Sequence, residues 1–280
     1  MRRPERRRWL VFGVVLMAIL WGVGAREVLA ESAPARPSIK ASALYMVDLK
    51  SGRVLLEKDA TRRLPPASLT KVMTALVALE SASAQQVVKI DRRALLHRSS
   101  LKLHAGEEFL LLDLLTAMLV TSANDACQAV ALHVGGEADR FITMMNERAR
   151  ALRLENTHFA NACGFDAPSH YSTAADLARL TEQALQAPAF SMMVRTVTRD
   201  IANVDGTRHV SLHSTNELLL DPDVTGVKTG YTSKAGRCLI ASMFKDGHHL
   251  LLVGLNVLDR WEQAAQLLRY GLAVLRGGNE

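Results

Sequence analysis

The sequence predicts an α/β protein of the α+β type, with an antiparallel five-stranded sheet flanked by helices and a mainly helical subdomain inserted at about residues 83–190. β-Prone segments occur at both ends of the chain, and the residues between them repeat at helical spacing. Pairing the strands from both ends in one sheet is the economical way to bury them. A cleft, and with it a functional site, is expected where the helical part meets the sheet.

Five segments carry the pattern of strands. A short apolar stretch, a Lys-Ser-Gly-Arg turn at residues 50–53 and a returning stretch predict an N-terminal hairpin. Turns at residues 233–236 and 245–247, both containing glycine, separate three further strands. The predicted strands cover residues 43–47, 54–56, 227–231, 237–244 and 249–257.

Six segments have apolar residues at helical spacing. The first opens at Ala67 and Ser68, directly after two prolines that stop the preceding chain. The long apolar run at residues 110–134 is interrupted at Thr121 and Ser122, and a pair of glycines ends it. The predicted helices cover residues 67–76, 110–120, 123–134, 138–152, 174–186 and 259–275.

The net charge of +6 comes mostly from the N-terminus. Residues 1–30 hold six arginines and two glutamates, which leaves 28 basic and 26 acidic residues in the remainder. Because the body of the chain is nearly neutral, no nucleic-acid partner is expected.

The N-terminal arginine cluster precedes an apolar run at residues 10–25, and Val28-Leu29-Ala30 is a candidate cleavage site. As a helix this run would span ~24 Å, short of the ~30 Å hydrocarbon core of a bilayer. We therefore expect an export signal at residues 1–30. An uncleaved anchor that associates with the membrane is the alternative.

The chain has three cysteines, so not all of them can pair within it. Cys127 and Cys238 lie in apolar runs and are expected to be buried, unpaired side chains. One disulfide stays possible, and the sequence does not decide whether it forms.

Ser68 and Lys71 place a hydroxyl and an amine three positions apart at the start of a predicted helix, where both lie on one face. The unpaired N–H groups of a first helical turn can stabilise an oxyanion, which makes Ser68 a candidate nucleophile. Lys71 can accept its proton if burial or a nearby cation lowers the pKa of the amine. The alternative is a capping serine beside a solvated lysine.

Ser122 and Asn124 lie at the break between two apolar helices, where polar groups are costly unless they have partners. Ser122 can relay a proton to a leaving amine, and Asn124 can bind a substrate amide. An ordinary helix cap is the alternative for this Ser-Ala-Asn triplet.

Lys228, Thr229 and Gly230 lie on a predicted strand. A cation and a hydroxyl on a strand edge suit a substrate carboxylate, and glycine allows a substrate backbone to approach closely. The alternative is an edge strand that a solvated lysine protects from aggregation.

Ser-x-x-Lys, Ser-x-Asn and Lys-Thr-Gly, in this order, are the motifs of penicillin-binding proteins and class A β-lactamases. With them, the chain resembles the low-molecular-mass penicillin-binding proteins of the D-alanyl-D-alanine carboxypeptidase family. The resemblance extends over most of the chain. It is carried by residues 65–76, 99–126, 161–177 and 225–242.

This resemblance implies a β-lactamase/D,D-peptidase-like fold, with residues 31–280 as the catalytic domain. It also implies hydrolysis of the D-Ala–D-Ala bond of peptidoglycan stem peptides, acylation of Ser68 by β-lactams, and a location in the periplasm or on the outer face of the bacterial membrane. The backbone N–H groups of Ser68 and Tyr231 are then expected to hold the oxyanion.

Three other functions stay open. Many family members carry a further β-rich domain and a C-terminal anchor, whereas this chain ends soon after its last helix, so a D,D-endopeptidase or transpeptidase is an alternative to a carboxypeptidase. A β-lactamase and a peptidoglycan-binding protein without turnover are the others. The nine histidines show no zinc spacing, and we expect no metal or cofactor. His170 is expected to be structural and Arg237 solvated.

Overall fold

The structure, a computed structural model, describes residues 35–96 and 101–277. The expected export signal at residues 1–30 lies outside the described residues, as do the first two positions of the segment 99–126. Within the described ranges, no helix has both the length and the apolar character needed to cross a membrane.

The described part of the chain forms nine strands and seven α-helices. The strands are β1 (Ala41–Asp48), β2 (Val54–Lys58), β3 (Val87–Lys89), β4 (Glu108–Leu110), β5 (Thr198–Ala202), β6 (His209–His213), β7 (Val224–Thr232), β8 (Gly236–Lys245) and β9 (His248–Val257). The helices are α1 (Lys71–Ser81), α2 (Leu111–Val120), α3 (Asn124–Gly135), α4 (Ala138–Ala151), α5 (Ala174–Leu185), α6 (Pro188–Val194) and α7 (Arg260–Arg276).

Five strands form one antiparallel sheet in the order β2-β1-β9-β8-β7, which confirms the predicted fold class. The two ends of the chain meet in its middle, where Ala43 of β1 pairs with Leu255 of β9. β7, which carries the Lys-Thr-Gly motif, is an edge strand and pairs only with β8 in this sheet. The predicted position of that motif on a strand is therefore confirmed.

Helices cover both faces of the sheet. Leu250 and Leu252 of β9 lie in a cluster with α7 residues such as Leu268. The residues that alternate with them, Leu251 and Val253, belong to a larger cluster that continues through α1 into α2 and α3. Because β9 is buried on both faces, its sequence is continuously apolar instead of alternating.

Several short elements are not predicted from the sequence. β3 pairs with β4 and β5 pairs with β6 as separate two-stranded sheets, and α6 follows α5. With three residues each, β3 and β4 are too short to show an alternating pattern. The first turn of the helix predicted from Ala67 is a 3-10 turn, Ala67–Thr70, that leads directly into α1. The limits of the inserted subdomain stay a prediction, since one core continues across them.

The cysteines correct one expectation. Cys127 of α3 forms a disulfide with Cys163, and the two Cα atoms lie 5.9 Å apart. The expectation that Cys127 is unpaired was therefore wrong, because an apolar neighbourhood does not distinguish a buried thiol from half of a buried disulfide. Cys238 is free and buried, as expected.

We expect Leu268→Ala to lower the free energy of unfolding by about 3 kcal/mol, because it opens a cavity between α7 and the sheet. Leu268 is 0% exposed, whereas the matched control Leu220 is 83% exposed. Leu220→Ala should change stability by less than about 0.5 kcal/mol. Urea unfolding of both variants measures the difference, and equal losses would contradict the assigned packing.

Candidate active site

Ser68 lies on the 3-10 turn that precedes α1, and Lys71 is the first residue of that helix. The three-residue spacing brings the Lys71 Nζ atom to 3.0 Å from the Ser68 Oγ atom. Ser68 is half-buried, whereas Lys71 is 0% exposed. The structure therefore places an accessible hydroxyl against an amine that is removed from water, and the alternative of a solvated lysine is wrong.

Lys71 Nζ has two further neighbours within hydrogen-bonding distance. Asn124 Oδ1 lies 2.9 Å from it, and the carbonyl oxygen of Cys163 lies 2.7 Å from it. Both atoms can only accept hydrogen bonds. A neutral amine has two N–H groups and one lone pair. When its N–H groups donate to these two oxygens, the lone pair is left for the O–H of Ser68.

The environment of Lys71 favours that neutral form. Burial, followed by the positive charge of Lys228, holds the pKa of Lys71 well below its ordinary value. In the described part of the chain, Lys71 forms no ion pair with a carboxylate that would restore its charge. An amine in this setting can serve as a general base near neutral pH.

Lys228 is the second buried amine of the site. It is 1% exposed on β7, and its Nζ atom donates to the carbonyl oxygen of Thr229 at 2.8 Å. Burial, followed by the guanidinium of Arg260, lowers the pKa of Lys228 to about 7. No carboxylate of the described residues pairs with it, so the cleft has an uncompensated cation that attracts an anion. The alternative of a solvated lysine on an exposed strand edge is therefore wrong.

Gly230 brings β7 against the turn that carries the nucleophile. A Cβ atom at this position would lie 3.0 Å from the backbone nitrogen of Ser68, closer than side-chain atoms normally pack. The neighbouring Thr229 hydroxyl lies 2.6 Å from that of Thr215. Tyr231 follows on the same strand and is 67% exposed. The Lys-Thr-Gly strand and the Ser-x-x-Lys turn thus line the same cleft.

Ser122 lies between α2 and α3 with a φ of +63°. Asn124 is the first residue of α3, and its side-chain oxygen accepts a hydrogen bond from Lys71. The predicted break between the two helices therefore directs Asn124 toward the catalytic base. Among the described residues, however, neither Lys71 nor Lys228 donates a hydrogen bond to Ser122. The structure thus brings Asn124 to the base directly, while the proton relay through Ser122 stays a prediction.

His170 is hydrogen-bonded to the turn that carries the nucleophile. Its Nδ1 atom accepts a hydrogen bond from the backbone N–H of Ala160 at 3.0 Å, which leaves Nε2–H to donate to Thr70 Oγ1 at 2.8 Å. The Thr70 hydroxyl in turn donates to the carbonyl oxygen of Ala67 at 2.8 Å. Burial, followed by the charge of His158, lowers the pKa of His170 to about 4, so the ring is neutral. His170 therefore has the structural environment expected for it.

Three contributors to the cleft are not found from the sequence. Arg260 donates to the carbonyl oxygens of Gly230 and Cys238 at 3.3 Å. A cation at a helix N-terminus is unfavourable because it opposes the helix dipole. The position of Arg260 at the start of the predicted helix could therefore have indicated that its guanidinium binds elsewhere in the fold. Thr215 and the Cys163 carbonyl offered no such signal. Within the described ranges, no cluster of three or more potential ligands could hold a metal ion.

This geometry, with a serine hydroxyl on a buried lysine amine beside a second lysine on a sheet edge, defines an active-site-serine protein of the β-lactamase-like fold. A profile of the D-alanyl-D-alanine carboxypeptidase family, peptidase family S11, matches residues 30–259. The chain belongs to this family, and the resemblance inferred from its motifs is confirmed.

Individual relatives agree with the family match. The chain is 31% identical over 237 residues to D-alanyl-D-alanine carboxypeptidase DacF of Bacillus subtilis, covering 82% of this chain and 61% of that protein. It is 34% identical over 285 residues to D-alanyl-D-alanine carboxypeptidase DacD of Salmonella typhimurium, covering 95% and 71%. It therefore spans less than two thirds of the Bacillus protein.

A solved structure agrees in fold. The crystal structure of the Streptomyces K15 DD-transpeptidase superposes with a TM-score of 0.80 at 28% sequence identity. The match covers 86% of this chain and all of that one. The whole of the compact transpeptidase fold is thus present here.

We expect Gly164→Ala to displace the nucleophile turn. A Cβ atom at Gly164 would lie 1.9 Å from the carbonyl oxygen of Ala67, and its φ is +87°. Gly206 is a matched control, since its φ is +70° but it has no neighbour within 4 Å. Gly206→Ala should cost about 1 kcal/mol from its backbone conformation alone. Gly164→Ala should cost about 3 kcal/mol or more.

Thermal unfolding and labelling by fluorescent penicillin measure these two effects. Labelling should be lost in Gly164→Ala and retained in Gly206→Ala. If both variants are labelled at the wild-type rate, the contact between Gly164 and Ala67 does not position the nucleophile.

Proposed function

We propose that the protein is a serine-type D-alanyl-D-alanine carboxypeptidase that acts on peptidoglycan stem peptides through an acyl-enzyme on Ser68. The distance of 3.0 Å between Ser68 Oγ and the fully buried Lys71 Nζ is the observation that carries this proposal. It supplies a nucleophile and its base in one cleft. Family membership supplies the substrate class and predicts acylation by β-lactams, which mimic D-Ala–D-Ala.

Acylation begins when Ser68 Oγ bonds to the carbonyl carbon of the penultimate D-Ala and its proton passes to Lys71. The carbonyl electron pair moves to oxygen, and the oxyanion is held by the backbone N–H groups of Ser68 and, by family resemblance, Tyr231. The N–H of Ser68 belongs to the first turn of the helix, where backbone donors have no partner within the helix.

The C–N bond then breaks as the carbonyl re-forms. The departing D-Ala takes the proton that Lys71 has accepted, relayed through the hydroxyl of Ser122. A water molecule attacks the ester carbonyl, gives its proton to Lys71 and releases the shortened peptide, and that proton returns to Ser68. Ser122 can take up the relay position because no hydrogen bond to another described residue holds its side chain.

The charge of the cleft supports a substrate that carries a carboxylate next to the scissile bond. Lys228 has no carboxylate partner among the described residues, and Thr229 lies beside it on β7. An anionic group bound there compensates the buried cation. The Asn124 Nδ2 group stays available to donate to a substrate carbonyl, because its Oδ1 atom is the one that Lys71 occupies.

We also propose that the protein is exported and works on the outer side of the bacterial membrane, in the periplasm where one exists. The arginine cluster and apolar run at residues 1–30 support this proposal. The Cys127–Cys163 disulfide supports it independently, since disulfides persist in oxidising compartments.

A D-Ala–D-Ala pentapeptide and cross-linked muropeptides, incubated separately with the protein, test the function. We expect free D-Ala from the pentapeptide and intact cross-links, detected by mass spectrometry. Cleaved cross-links would make it an endopeptidase. Products in which a second amine replaces the released D-Ala would make it a transpeptidase, like the K15 enzyme of similar fold.

Ser68→Ala should abolish the covalent adduct with penicillin, because the only proposed nucleophile is removed. Ser81→Ala is a matched control at the other, exposed end of α1 and should be labelled normally. Intact-protein mass measures both. A penicilloyl adduct on Ser68→Ala would refute the acyl-enzyme assignment, and rapid turnover of the wild-type adduct would favour a β-lactamase.

The rate of acylation by penicillin should depend on pH with a maximum. Below the lowered pKa of Lys71 the amine is protonated and cannot accept the proton of Ser68, so the rate falls on acidification. Above about 7, Lys228 loses the charge that attracts the carboxylate of the penicillin, so the rate also falls.

Lys228→Arg separates the two limbs of this profile. A guanidinium stays charged over the whole range, so the alkaline fall should disappear while the acid fall remains, whatever the maximal rate. Stopped-flow acylation across pH measures both proteins. A wild-type rate that does not fall on acidification would contradict Lys71 as the base.

A further inference from the structure

We propose that the Cys127–Cys163 disulfide is a positioning element for the catalytic base. It links the two chain segments whose carbonyl oxygens orient the amine of Lys71. This inference rests on the proposed function. It assigns a role in the reaction to a bond that the three sequence motifs do not include.

The disulfide joins the two chain segments that supply the acceptors of Lys71. Asn124, whose Oδ1 lies 2.9 Å from Lys71 Nζ, is the first residue of α3, and Cys127 lies one turn later on the same helix. Cys163 itself supplies the other acceptor, its carbonyl oxygen at 2.7 Å. Both sulfur-bearing residues are buried, at 0% and 1% exposure.

The orientation of the lone pair depends on both acceptors together. One acceptor alone leaves the neutral amine free to rotate about its Cε–Nζ bond, and the lone pair then points away from Ser68 in some rotamers. Two acceptors at fixed positions select the rotamer in which the lone pair meets the serine O–H. A covalent link between α3 and the loop around Cys163 therefore sets the fraction of molecules in which the Lys71 lone pair faces the Ser68 hydroxyl.

The loop is held to α1 by other contacts, so loss of the disulfide should loosen it without unfolding it. Asn161 Oδ1 accepts hydrogen bonds from three consecutive backbone N–H groups, beginning with that of Cys163. Thr74 of α1 donates to the carbonyl oxygen of Ala162 at 2.5 Å. These bonds fix the loop's own shape and its distance from α1, whereas the disulfide fixes its distance from α3.

Loosening this link also changes the medium around the amine. Burial is the main cause of the lowered pKa of Lys71, and the charge that reaches it is that of Lys228 on β7. Water that enters between α3 and the loop stabilises the charged amine. The midpoint of the acid limb should then move to higher pH, whereas the limb governed by Lys228 should stay in place.

Reduction of the wild-type protein is the first arm of the test. Dithiothreitol gives the disulfide two electrons and two protons, yielding two thiols, and itself closes to a cyclic disulfide. We expect the rate constant for acylation by fluorescent penicillin to fall by about tenfold. The acid limb of its pH profile should shift upward, and reoxidation should restore both properties.

A double variant, Cys127→Ala with Cys163→Ala, is the second arm and covers the case in which dithiothreitol does not reach the buried bond. It should show the lowered rate and the shifted acid limb, and it should not respond to dithiothreitol. Leu268→Ala is the matched control, since it destabilises the fold on the far side of the sheet. It should lower the thermal midpoint and leave the pH profile unchanged.

The proposal is overturned if the disulfide-free protein has only a lower thermal midpoint, with the rate and the pH profile of the wild type. Such a result would mean that the bond stabilises the fold and does nothing for the base. Failure of the oxidised wild-type protein to react with penicillin at all would overturn the proposed function itself, and this inference with it.

Discussion

The site depends on the burial of the Lys71 amine without a carboxylate to neutralise it. An ammonium group removed from water is costly unless it is paired, and here the neighbouring charge is that of a second lysine. Loss of the proton removes this free-energy cost, and it converts the ordinarily cationic side chain of Lys71 into a base. The rest of the structure keeps water and carboxylates away from that amine.

Five separate parts of the chain converge to maintain this arrangement. The 3-10 turn and α1 carry the serine and the lysine, and α3 and the loop around Cys163 provide the oxygens. The edge strand β7 presents Lys228, and it can approach only because Gly230 has no side chain. Arg260 binds the C-terminal helix to β7 and β8 through the carbonyl oxygens of Gly230 and Cys238. Rigidity here comes from contacts between elements distant in sequence.

The sequence was sufficient for the sheet, the longer helices and the residues of the three motifs, because their signals are local. A continuous apolar run places Leu250–Leu255 in a buried strand, and a three-residue helical spacing places Ser68 beside Lys71. The sequence did not identify residues that contribute to the site through a backbone atom or through a partner distant in the chain. The carbonyl of Cys163 and the hydroxyl of Thr215 become part of the site only after folding.

Short elements and the pairing of Cys127 could not be predicted because the local sequence is compatible with more than one structure. Three residues of β3 cannot display a period, and an apolar sequence around a cysteine is compatible with a thiol or a disulfide. The proton relay through Ser122 stays a prediction, since in the described part of the chain no hydrogen bond joins its hydroxyl to either lysine.

The place of β9 at the centre of the sheet has a consequence for how the protein is made. Among the strands of this sheet β9 is the last to be synthesised and β1 the first, so Ala43 cannot pair with Leu255 until the more than 200 residues between them have been made. Until β9 has been made, α1 has no complete sheet surface on which to pack. A chain of this topology cannot complete its active site before β9 has paired with β1.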